Sequence, residues 1–176
     1  IMSGIITDNQ GRSSGLVKAA GGGGKVLQVL QDTKTNTFSS SSLTFTDITG
    51  LTIDITPAAT SSKILVMAQM SSWITNGFAI FFSLVRDSTE VYIGDAAGSR
   101  EQISTGTTNA DSTNRTQESS SLIYLDSPST TSATTYKVQM RVSESTTGYI
   151  NYTTLDNDSS TFPRAACSIT VMEIGA

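Results

Sequence analysis

The sequence predicts an all-β protein, an antiparallel jelly-roll sandwich of about eight to ten strands with an extended N-terminal arm. Three observations lead there. Short apolar runs recur with a period of two from Lys25 onward, each bounded by a cluster of Ser, Thr, Asn, Gly or Pro. The composition is 37% hydrophobic and only 15% charged, and the remainder is rich in residues that favour strands and turns over helix interiors. No helical period is sustained for three turns, and no repeat of about 20 to 50 residues suggests a solenoid or propeller.

Residues 1–24 read as an anchoring arm with a glycine hinge, and residues 25–176 as the jelly-roll domain. The arm holds two apolar patches, Ile5 with Ile6 and Leu16 with Val17, separated by the turn-rich DNQGRSSG. Leaving such side chains exposed forgoes about 1.5 to 3 kcal/mol each relative to full burial. They are therefore expected to dock, either on a neighbouring subunit or back on their own domain. Gly21 to Gly24 have no side chains to pack and the largest backbone entropy to lose, so the hinge permits both arrangements.

KVLQVLQ reads as the first strand. SLTFTDI places Leu43 and Phe45 on one face, and LTIDIT sets Leu51, Ile53 and Ile55 against Thr52 and Asp54 before Pro57 ends the run. KILVMAQMSS and GFAIFFSLVRD are too apolar for one-sided exposure and read as central strands covered on both faces. TEVYIGD and SREQIST are short strand candidates. SSSLIYLD and TYKVQMRVS alternate, the second with Tyr136, Val138, Met140 and Val142 on one face. GYINYTTL follows, and ACSITVMEI closes the set with Ile169, Val171 and either Met172 or Ile174 turned inward.

Composition argues against several kinds of chemistry. The net charge is −4 with Lys and Arg scattered singly, so no basic face offers itself to a phosphate backbone and nucleic acid is not an expected partner. No apolar run is long enough for a membrane-spanning helix. The chain has no histidine and one cysteine, which removes the commonest general base and leaves no ligand set for zinc. Cys167 lies in an apolar run and reads as a small core hydrophobe. There is no Gly-x-Ser-x-Gly elbow for a nucleophilic serine.

Asp47, Asp54, Asp87, Glu90 and Asp95 could in principle form an acid–base pair, but their places beside turns or on outward strand positions suit solvated surface carboxylates better. Asp156, Asn157 and Asp158 offer oxygen ligands at close spacing but lack the EF-hand pattern, so an Asx turn is the simpler reading. No cofactor or metal is expected. Trp73, Phe78, Phe81 and Phe82 are the largest apolar group, expected first as core and, failing that, as a subunit interface.

The blocks VLQVLQDTKTNTF, LTFTDITGLTIDITPAATSSKILVMAQM, LVRDST with GDAAGSR, LDSPSTTSATTYKVQMR and ITVMEI together resemble a domain family of marine and cyanobacterial phages and their hosts. That family is carried on tail-fibre and other virion structural proteins. The leading SGIITDNQGRSSGLVKA is similar to the short N-terminal segments that tether phage appendage or capsid-surface proteins. The resemblance implies a homotrimeric β jelly roll of the tumour-necrosis-factor and complement type, held by its arm to other virion proteins at the particle surface. As a tail fibre it would contact the host, with a host-surface glycan as a further candidate partner; as a capsid decoration or head-fibre protein it would sit on the shell. The family brings no catalytic residues. A carbohydrate-binding module of a host-surface or secreted protein is the rival reading, and it requires an exposed aromatic platform or a calcium cage.

Overall fold

The computed structural model describes residues 24–109 and 115–175, and over that range the chain forms eleven strands and no helix. The arm residues Ile5, Ile6, Leu16 and Val17 lie outside the described residues. Two antiparallel sheets face each other. In the first, β1 (Val26–Lys34), β11 (Cys167–Ile174), β4 (Lys63–Ile74) and β8 (Glu118–Asp126) lie side by side. The short strands β10 (Gly148–Ile150) and β2 (Phe38–Ser40) take over from β11 along the far end of β4. In the second sheet, β3 (Thr46–Ile55), β9 (Thr134–Val142) and β5 (Ala79–Arg86) are neighbours, and β6 (Thr89–Val91) and β7 (Thr105–Thr108) share the outer edge of β5.

Setting aside β2, β6 and β10, the pairing is nested. β1 pairs with β11, β3 with β9, β4 with β8 and β5 with β7, so first meets last and the middle two meet each other. β11 then joins β4, and β9 joins β5. A long hairpin whose successive strand pairs fall alternately into two sheets produces this order, which is that of a jelly roll.

The period-two pattern builds the core. Along β9 buried and half-buried residues alternate without a break, with Tyr136, Val138, Met140 and Val142 inward. Ile64, Val66, Ala68 and Met70 from β4 and Ile169 and Val171 from β11 meet them across the sandwich with Phe82 and Leu84 of β5. Gly148 is required where β10 crosses this layer, because a β-carbon there would lie 2.9 Å from both Ile80 Cδ1 and Met140 Cε.

Four sequence expectations change. SLTFTDI and LTIDIT are one strand, β3, interrupted by a bulge between Asp47 and Thr52 that Gly50 turns with a φ of 88°. Leu43 therefore lies outside the strand and is exposed. SREQIST is irregular up to Thr105, where β7 begins. In β11 neither Met172 nor Ile174 points inward. The inward register continues from Cys167, Ile169 and Val171 to Glu173, which is buried because Gln28 Nε2 donates to its Oε2 at 2.7 Å and the Ala58 N–H to its Oε1 at 2.7 Å. The fourth change concerns β4, whose outward face is open from Lys63 to Gln69 and is covered only at its far end, where Trp73 is buried beside Tyr149.

Candidate functional site

β4 presents Ile64, Val66, Ala68 and Met70 to the core, so its intervening residues point away from the second sheet. Directly opposed residues on paired strands share a face, and the registers extend this outward surface across four strands. One row runs Val29, Met172, Leu65, Leu125. The next runs Gln31, Thr170, Met67, Ile123, and the third Thr33, Ser168, Gln69, Ser121. Val26, Ile174 and Lys63 form a corner above the first row.

The upper half of this face is apolar and open to solvent. Ile123 is 62% exposed, Val29 52% and Leu125 48%, while Leu65, Met67 and Met172 are half-buried between neighbours. The lower half is hydroxyl and amide. Among the outward positions of these four strands, Lys63 alone carries a charge. A depression of about 210 Å³ lies where the halves meet, between Met67, Gln69, Ser121, Ile123, Ser168 and Thr170.

The outward face of the second sheet differs in kind. Asp47 takes the Lys137 ammonium at 2.9 Å and the Gln139 amide at 2.6 Å, and these donors hold its carboxyl below the usual carboxylate range. Arg141 pairs with Glu101 at 2.9 Å and lies over the Phe81 ring, 5.4 Å from its centroid. Such charged, half-solvated groups suit a surface left in water.

The other residues named from the sequence are accounted for individually. Trp73 and Phe82 are buried, Phe78 is half-buried against the core, and Phe81 is half-buried beneath Arg141. They do not share one exposed surface. With its ring only 2% exposed against Tyr149, Trp73 offers no platform for a sugar.

Most of the carboxylates are held by neighbours, while Asp95 and Asp158 lie exposed on the surface. Asp54 accepts from the Thr135 hydroxyl, Asp87 from the Thr135 N–H, Glu90 from the Ser83 hydroxyl, and Asp156 pairs with Arg164 at 2.7 Å. No group of three or more metal-ligating side chains occurs among the described residues. Cys167 is buried, which pushes its thiol up from the ordinary value; it donates to Asn151 Oδ1 at 2.9 Å. The Asn151 amide itself donates to the carbonyls of Lys34 and Asn36.

Sequence reasoning missed two features. One is the buried carboxylate at the end of β8. The Arg86 guanidinium donates to both oxygens of Asp126 at 2.8 and 2.7 Å, and the Tyr136 hydroxyl donates to Oδ2 at 2.6 Å. Burial and this carboxylate push the Tyr136 hydroxyl far above its ordinary value, so it stays protonated as a donor. The network ties the ends of the two sheets together, and Asp126, at the end of SSSLIYLD, has no local sign of its partners in the sequence. The other is the open face of the first sheet, whose signal was present: β4 is as apolar as a strand covered on both sides.

No family model matches the chain, and no curated protein does. Among solved structures, similar chains come from the infectious bursal disease virus Gx strain and from the VP2 subviral particle of that virus. The first is 14% identical with a TM-score of 0.38 over 85% of this chain and 40% of that one. The second is 14% identical with a TM-score of 0.42 over 84% and 39%. T=1 particles derived from infectious bursal virus give 14%, 0.42, 85% and 36%. The chain spans about 40% or less of the length of these viral chains. With TM-scores this low, neither fold nor role is argued from the likeness.

Proposed function

We propose that this chain is a non-enzymatic structural subunit of a phage virion, a homotrimeric jelly roll displayed at the particle surface and anchored to other virion proteins through residues 1–24. It serves as a capsid decoration or head-fibre protein or as the knob of a tail fibre. The observation that carries the reading is the mismatch in β4. Its sequence is apolar on both faces, its fold covers one and leaves the other open over residues 63–69, and that open face continues over β1, β11 and β8 as a surface with a single charge. A subunit of an assembly needs such a face. The resemblance of the separated sequence blocks to phage structural domains supplies the kind of assembly. Among the described residues, Asp47, Asp54, Asp87 and Glu90 are each engaged locally and Asp95 is exposed, which fits adhesion better than turnover.

The test is a short epitope inserted in the exposed turn at residues 129–133, followed by immunogold electron microscopy of intact particles. Label over the shell supports a decoration protein and label at the tail a host-contacting fibre. Absence of label from every particle overturns the reading. The same epitope on a chain lacking residues 1–20 is expected to give no label, and retained label would show that the arm is not the anchor.

A further inference from the structure

We infer that the outward face of the first sheet is where copies of this chain meet, with Leu65, Met67, Ile123, Leu125 and Met172 at the dry centre of the contact. The inference rests on the assembly reading above and names its surface. Size is the first argument. Four strands about 4.8 Å apart, over residues 63–71 at about 3.3 Å each, outline roughly 600 Å². Two such faces cover about 1,200 Å² in total, above the roughly 1,000 Å² that marks specific association.

Charge selects the occupant. The chain carries a net −4, so two copies meeting through an arbitrary surface repel. On this face they do not, because its outward positions hold one lysine and no carboxylate. The acidic residues Asp47, Asp54 and Glu101 lie with the other sheet, pointing away from such a contact or beside it. A strongly basic foreign partner finds nothing here to pair with, and an acidic one finds Lys63 alone.

The hydroxyl and amide half is equally suited to its own kind. Ser121, Ser168 and Gln69 each donate and accept, so like can face like with its hydrogen bonds satisfied. The division of the face into an apolar end and a hydroxyl end also fixes orientation. Copies related by an axis along the strands bring apolar against apolar and hydroxyl against hydroxyl, whereas reversing one copy sets Leu125 against the serines.

The experiment is light scattering on the full purified chain at micromolar concentration. It compares the wild type with Ile123→Glu, with Leu125→Glu and with Thr52→Glu on the outward face of the second sheet. All three sites are exposed, so circular dichroism and the melting temperature should remain near wild type and confirm folding. The wild type and Thr52→Glu are expected to show an oligomer mass. Ile123→Glu and Leu125→Glu are expected to raise the dissociation constant by about 100-fold or more, because a carboxylate buried without a partner opposes association. A trimer mass, or a dimer mass in which this face closes on one copy of itself and the trimer alone falls, would support the contact; a monomeric wild type would overturn the inference and the trimer with it, while particle labelling would still test the virion role. If both glutamate variants kept the oligomer mass, this face would be excluded and self-association through another surface would stand.

Discussion

Asp126 is almost out of water yet accepts three hydrogen bonds, two from Arg86 and one from Tyr136. Bonds of this kind, to an ionised group, contribute about 1.5 to 3 kcal/mol each. Tyr136→Phe keeps the ring in the core and removes one of them, so it is expected to lower the unfolding free energy by that amount. A reduced urea midpoint at unchanged slope is the check. Glu173 responds to pH. Burial works against its charge, but donors around it, Ser62, Gln28 and the Ala58 N–H, more than offset this and lower its pKa. A carboxylate held lower in the folded than in the unfolded chain stabilises fully above its ordinary value of about 4.3. That contribution is lost as the pH falls through the folded value. Below about pH 4.3, the wild type should therefore lose stability more steeply than Glu173→Gln, measured as urea midpoints across a pH series.

Among the elements, β11 joins the first strand of the domain to the centre of its sheet. It lies between β1 and β4 and contributes Cys167, Ile169 and Val171 to the core. A chain ending at Ala166 is expected to lose cooperative unfolding and its β-type circular dichroism. The strands that alternate cleanly were legible in the sequence. β9 shows the inward set Tyr136, Val138, Met140 and Val142 as expected, because one apolar side and one polar side leave only one register. β3 was read as two strands because the extra residues inserted between Asp47 and Thr52 break the alternation just as a turn would. The error in β11 has a similar origin. Period two alone selects Glu173 as the inward residue after Val171, but an ionised side chain reads as outward until its donors, distant in sequence, are known. Nothing near Glu173 in the chain announces Gln28 or Ala58.

For the whole molecule, the nested pairing explains both what could be read and what could not. Strand count and sheet class follow from local periodicity, whereas the pairing of β1 with β11 joins the two ends of the domain and leaves no local trace. The candidate surface was half legible. Trp73 and the phenylalanines drew attention by size, but large aromatic rings are what buried layers need most: Phe82 lies between the sheets, and Trp73 is buried on the opposite face of β4 beside Tyr149. The smaller residues Leu65, Met67, Ile123, Leu125 and Met172 are unremarkable singly. They become a surface only when the registers of three strands align them.

The first and last strands meet at one corner. Gly24 lies against Ile174 and Gly175, and the Gly175 N–H donates to the Lys25 carbonyl at 2.8 Å. β1 pairs in the first sheet with β11 alone. Tension on the entering chain, with the body held through its broad outward face, pulls β1 lengthwise along β11. The whole ladder is then loaded in shear and must yield together. The same tension applied between Lys25 and Gly175 opens the ladder from its end, one pair after another. A domain tethered at this corner thus resists a pull against its assembly and gives way readily to a pull between its own two ends.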